Sequence, residues 1–280
     1  MEFMLEAGLL EWKRELFVII VLISTIYWLI TGIFNETTER QIHMKQRLYF
    51  LLGLSLFYIC WGSPLYGIAH FMFSVHMLHM SLLYFLVTPL LLAGIPLHLY
   101  KVHKKFQFIS KVWSKLTAPT ISIVFFNGLF ILYHIPIVMD TVMTTSWMYY
   151  GFHILLALAS FCVWQPIVGS FLQNKLPYNK RKRYALVNTL VLLPACLLLF
   201  FSTIQYRIFT DYTAQSNMLE VCFGQNVDLN VLLGWKVLTP ITDQRIGGAV
   251  MLILHKVSFL VGDRIQVQSP VIHNNKLETT

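Results

Sequence analysis

Charge is what this chain has least of. Asp, Glu, Lys and Arg make up 12% of its 280 residues, about half the share in a soluble globular domain. Cysteine is scarce too. Cys60, Cys162, Cys196 and Cys222 form no C-x-x-C pair, which excludes a zinc ribbon, a thioredoxin-like redox site and a disulfide framework. Cys162 and Cys196 fall inside apolar runs and read as small apolar fillers. No G-x-S-x-G elbow, H-E-x-x-H pair or P-loop occurs, so an enzyme is not expected. The stretch from Met1 to Glu15 has no basic n-region and no small-residue cleavage site after it, so no cleaved signal peptide is expected. The net charge of +8 does not call for nucleic acid, because the basic residues sit in short connections between apolar runs.

Those runs are what the chain has in abundance. Hydrophobic residues reach 56% and the mean hydropathy is +0.63. The pattern predicts an all-α polytopic membrane helix bundle, a single integral membrane domain over 1–280 with about seven transmembrane helices. The spans are expected at 16–34, 48–60, 71–93, 119–133, 147–168, 184–203 and 246–261. Basic residues fall in alternate connections: Arg40, Lys45 and Arg47; Lys101, Lys104, Lys105, Lys111 and Lys115; Lys175, Lys180, Arg181, Lys182 and Arg183. The connections 61–70 and 135–146 have no Lys or Arg. The positive-inside rule then puts the N-terminus outside and the C-terminus in the cytoplasm. The apolar stretch 229–238, with Trp235, reads as lying on the outer membrane surface.

This orientation gathers candidate ligands at the outer face. His70, Met72, His76, His79 and Met80 head the third span, His134 closes the fourth, and His153 lies about 9 Å into the fifth. Met72, His76, His79 and Met80 are spaced to share one helix face, and Met77 points away from it. Imidazole is costly to leave unpaired at membrane depth, and a nitrogen-and-sulfur set suits a soft metal, with copper(I) the leading candidate. The competing reading is interhelical hydrogen bonding of the histidines and gap-filling by the methionines. His98 and His103 fall on the cytoplasmic side, facing lipid headgroups. His255 and Lys256 lie in the last span, where His255 is expected to bond a neighbouring helix and Lys256 to snorkel. Asp243 is expected to cap the N-terminus of that span, Gly247 and Gly248 to let helices approach closely, and Pro194 to kink the sixth span.

Four blocks of sequence resemble the polytopic CtaG family of cytochrome c oxidase assembly factors of bacteria. The first is Ser74-Val75-His76-Met77-Leu78-His79-Met80 with the later Pro89-Leu90-Leu91-Leu92-Ala93-Gly94-Ile95-Pro96. The second is His134-Ile135-Pro136, with Trp147 and His153 downstream. The third is Trp164-Gln165-Pro166, and the fourth is Pro240-Ile241-Thr242-Asp243-Gln244-Arg245-Ile246-Gly247-Gly248. The glutamine that the family carries between the paired histidines is absent here. The resemblance implies a protein of the bacterial plasma membrane that matures a haem–copper terminal oxidase, supplying or inserting copper. Its partners would be oxidase subunits, a copper chaperone and membrane lipid. A copper transporter would need ligands across the whole bilayer, and only His255 and Cys162 are available below the outer layer. A haem protein would set His76 or His79 opposite His153.

Overall fold

The computed structural model describes residues 11–37, 44–95, 107–169, 176–223 and 238–265. Among them all regular structure is helical. The expected surface stretch 229–238, apart from Leu238, lies outside the described residues, as do His98, His103, Arg40, Lys101, Lys104, Lys105 and Lys175.

Long helices form where apolar runs were expected. They are α1 (Arg14–Thr37), α2 (Met44–Gly62), the third run Phe73–Gly94, α7 (Pro119–Tyr133), α9 (Ser146–Val168), α10 (Tyr178–Phe201) and α13 (Pro240–Arg264). Short helices join them: α3 (Pro64–Ala69), α6 (Gln107–Leu116), α8 (Pro136–Met143), α11 (Arg207–Thr210) and α12 (Tyr212–Phe223). The third run divides into α4 (Phe73–Ser81), a π-helical segment (Leu82–Val87) and α5 (Thr88–Gly94). Five helices are long and apolar enough to cross a membrane: Arg14–Gly32, Phe73–Gly94, Ser146–Val168, Tyr178–Phe201 and Pro240–Gly262. The chain is therefore a multi-pass membrane protein. Two expected spans are not among the five. In α2 the first turn holds Lys45, Gln46 and Arg47, which lowers its hydropathy. In the other, α7 joins the α6 segment Ser110–Leu116 across a 73° bend, because Pro119 starts a new helix.

α6 is amphipathic. Val112, Trp113 and Leu116 share one face of its helical wheel, and Ser110, Lys111, Ser114 and Lys115 the other. Lys111 and Lys115 are exposed. With the 73° bend, this pattern suits a helix lying along a membrane surface.

At the end of the π-helical segment the carbonyl of Tyr84 would take the N–H five residues on, and Pro89 has none to give. Ser160 Oγ (2.7 Å) and Trp164 Nε1 (2.8 Å) of α9 donate to that carbonyl instead. The wide turn is thereby tied to α9. α13 packs mainly against α4 and α10, and its paired glycines make this possible. A Cβ at Gly247 would lie 2.7 Å from a Phe73 ring carbon and 2.9 Å from Met77 Cγ, while one at Gly248 would be 3.1 Å from Leu199 Cβ. Gly247→Ala is therefore expected to destabilise the protein by about 1–3 kcal/mol through overpacking. Thermal unfolding in detergent measures this, and an unchanged Tm would show that α4 and α13 have room to part.

Asp243 departs from its expected role. Thr239 is the N-cap of α13, its Oγ1 accepting from Thr242 N at 3.3 Å. The Asp243 carboxylate reaches across and caps α4, accepting from Phe73 N (2.7 Å) and Ser74 N (3.0 Å). The reason is local: Met72 stands at the N-cap of α4 with no side-chain acceptor to offer. Pro194 lies inside α10, which continues through it to Phe201. His255 bonds a neighbouring helix as expected. Its Nε2 is 3.0 Å from Asn188 Nδ2, and Asn188 Oδ1 accepts from Asn127 Nδ2 (2.5 Å). Lys256 is exposed. Cys60, Cys162 and Cys196 are buried free thiols.

Candidate metal centre

Histidines from several elements converge where α2 ends and α4 begins. His76 and His79 lie one turn apart on α4, His153 lies two turns into α9, and His70 follows α3. All four are 5% exposed or less. The His79 and His153 ring centroids are 6.5 Å apart, and Trp61 stands edge-on to both, at 5.9 and 5.5 Å. Tyr66 lies 6.2 Å from His79, and Tyr149 lies 4.5 Å from His153.

Each imidazole is oriented by a partner on one nitrogen. His153 Nδ1 is 2.7 Å from the Tyr84 hydroxyl, which also lies 3.3 Å from the His153 carbonyl. The proton order Nδ1–H to Tyr84 to carbonyl satisfies all three groups and leaves Nε2 as a lone pair. The His79 ring donates to the Cys60 carbonyl, again leaving Nε2. His76 Nε2 is 3.1 Å from the Tyr133 hydroxyl. The remaining nitrogens, His76 Nδ1, His79 Nε2 and His153 Nε2, are buried without a hydrogen-bond partner. A buried polar atom without a partner costs about 1–3 kcal/mol, so three in one cluster need a cause.

The other sequence candidates fare differently. His70 is engaged on both sides, by the Tyr66 carbonyl (Nδ1, 2.7 Å) and the Tyr149 hydroxyl (Nε2, 3.1 Å). Burial holds its imidazole down at about 4, Lys13 adding to the depression and the Tyr66 carbonyl opposing it. His134 is also engaged twice, by the Phe130 carbonyl and by Met77 Sδ. Met80 is fully buried one turn beyond His76. Met72 does not share the histidine face. Its backbone is extended at the helix start (φ −118°, ψ 129°), and its side chain lines a surface cleft with Phe73, Tyr206 and Asp243. Met77, expected to point away from the candidate face, is fully buried against His134. Among the described residues no three His, Cys, Asp or Glu side chains are grouped to hold one metal ion.

The part of the site that sequence reading missed is aromatic: Trp61, Tyr66, Tyr84, Tyr133 and Tyr149. One signal was available. Tyr66/His70, Phe130/His134 and Tyr149/His153 all have an aromatic residue four positions before a histidine, the spacing that stacks side chains on a helix. Tyr84 and Tyr133 carry no such mark.

The family model described as cytochrome c oxidase caa3 assembly factor matches residues 25–262. The chain belongs to this family. The matched stretch holds every candidate ligand and every tyrosine that orients one, so the buried cluster is part of a cytochrome c oxidase assembly factor. No curated protein and no solved structure matches the chain.

Proposed function

We propose that this assembly factor holds copper(I) between His79 and His153, with His76 beside them, and passes it to a haem–copper oxidase subunit. Copper here is cargo. The observation that carries the reading is the set of three buried imidazole nitrogens without partners, two of them on rings whose centroids are 6.5 Å apart. Copper(I) accepts two ligands. About 2 Å per metal–nitrogen bond and about 1 Å from each ring centre to its nitrogen fit one ion into the 6.5 Å gap. Tyr84 and Tyr133 act behind the ligands, fixing tautomer and ring angle. The role in this reading is that of a carrier.

In this reading all seven long helices cross the bacterial plasma membrane, α6 rests on the cytoplasmic leaflet, and the N-terminus is outside. Lys45, Arg47, Lys111, Lys115 and Lys180 to Arg183 then lie in the cytoplasm. The histidine cluster sits at the opposite end, where copper from an extracytoplasmic chaperone would arrive. Cysteine reporters in α8 are expected to react with an impermeant reagent on intact cells, and reporters near Lys182 only after lysis. The reverse pattern would put the cluster on the wrong side for this role.

Metal binding to the reduced, detergent-purified protein tests the reading directly. Copper(I) is expected to bind in preference to zinc. Tyr84→Phe is expected to weaken copper binding about 10–100-fold while leaving helix content unchanged. No copper uptake by the unaltered protein would sink the proposal.

A further inference from the structure

The His134 ring makes two contacts that compete for one proton. Its Nδ1 lies 2.6 Å from the Phe130 carbonyl oxygen, one turn back on α7, and its Nε2 lies 3.2 Å from Met77 Sδ. Carbonyl oxygen and thioether sulfur are both electron-pair donors, and neither has a proton to give. A neutral imidazole has a single N–H, and the shorter contact, to the stronger acceptor, claims it. Nε2 then faces sulfur, lone pair to lone pair. An imidazolium would satisfy both contacts, but His134 is 2% exposed, and a charge buried to that degree is costly. Neither side chain is positioned to retreat. Met77 is fully buried, with α13 at its back where even a Cβ on Gly247 would come within 2.9 Å of its Cγ. His134 is stacked 4.6 Å from Phe130, and its own carbonyl accepts from the Tyr206 hydroxyl at 2.5 Å.

A soft monovalent cation between the two atoms removes the conflict, since imidazole nitrogen and thioether sulfur are both its ligands. We infer that His134 Nε2 and Met77 Sδ form a second copper(I) station, distinct from the His79–His153 pair; this rests on the copper reading proposed above. Met77 lies on α4 between His76 and His79, so the stations adjoin. With metal–ligand bonds of about 2 Å, the 3.2 Å separation subtends roughly a right angle at the ion. Such a pair occupies two coordination positions of the ion, and a receiving protein would supply the others. Tyr206 links the station to the surface, because it also lines the surface cleft in which Met72 stands.

The test is copper K-edge absorption and copper(I) stoichiometry on the full-length reduced protein in detergent. The unaltered protein is expected to show sulfur in the copper shell. Met77→Leu conserves volume and is expected to lose that sulfur and one bound ion, keeping the ion at His79 and His153. Met80→Leu is expected to keep the sulfur signal. Sulfur and full stoichiometry retained in Met77→Leu, or a nitrogen-only shell in the unaltered protein, would overturn the second station and leave the first standing. No copper uptake at all would fell both. If Met77→Leu loses its helix content, the chain grown with selenomethionine serves instead: a selenium shell around copper is expected, and its absence overturns the proposal.

Discussion

Cells carrying His79→Ala or His153→Ala are expected to lose most activity of an aa-type terminal oxidase at limiting copper, by about tenfold or more, while the oxidase polypeptides still accumulate. Each substitution removes one of two neighbouring rings that carry a buried nitrogen without a partner, and loss of even an outer-shell group at a metal site costs about 10–100-fold in affinity. His98→Ala, which the sequence puts on the cytoplasmic side, is the control and is expected to leave activity unchanged. Added copper should restore part of the lost activity, since a weakened site fills by mass action. Oxidase activity and haem content are measured on the same membranes. Normal activity at limiting copper in both variants would make the cluster structural.

The second large effect falls on stability. Asp243→Ala is expected to cost about 3 kcal/mol or more, because the carboxylate accepts two buried backbone N–H groups at the start of α4. Hydrogen bonds to a charged group are worth about 1.5–3 kcal/mol each, and a negative charge there also opposes the helix dipole. No side chain at the α4 N-cap stands ready to replace it. Asp243→Asn keeps one acceptor oxygen and is expected to lie between the two. The measurement is the thermal midpoint in detergent, with copper(I) affinity on the same samples. Because α4 carries His76 and His79, affinity should fall with the midpoint. Asp140→Ala is the comparison. That carboxylate accepts from Arg207 N (3.3 Å) and Ile208 N (3.2 Å) nearer the surface, and the longer bonds predict a smaller loss. A midpoint unchanged by Asp243→Ala would mean that water caps α4 as well as the carboxylate does.

The sequence by itself determined the class of the molecule and the neighbourhood of its site. Low charge and long apolar runs leave only helices to satisfy backbone hydrogen bonds in lipid, and the long helices lie where those runs are. The clustered histidines were also legible, because an ionisable ring in an apolar run has few reasons to be there. The tertiary structure decided how each of them is held. His76, His79 and His153 each keep an unpaired nitrogen, while both nitrogens of His70 and of His134 lie against a neighbour: a carbonyl four residues back in each case, and the Tyr149 hydroxyl or the Met77 sulfur from another helix. Met72 left the ligand face because the helix begins one residue after it, and Met77 entered the core because α13 closes over it at Gly247. Asp243 caps a helix 170 residues away in sequence rather than its own. Spacing along one helix reports which residues share a face, but a partner's lone pair arrives from a different helix, and only packing between helices sets that contact.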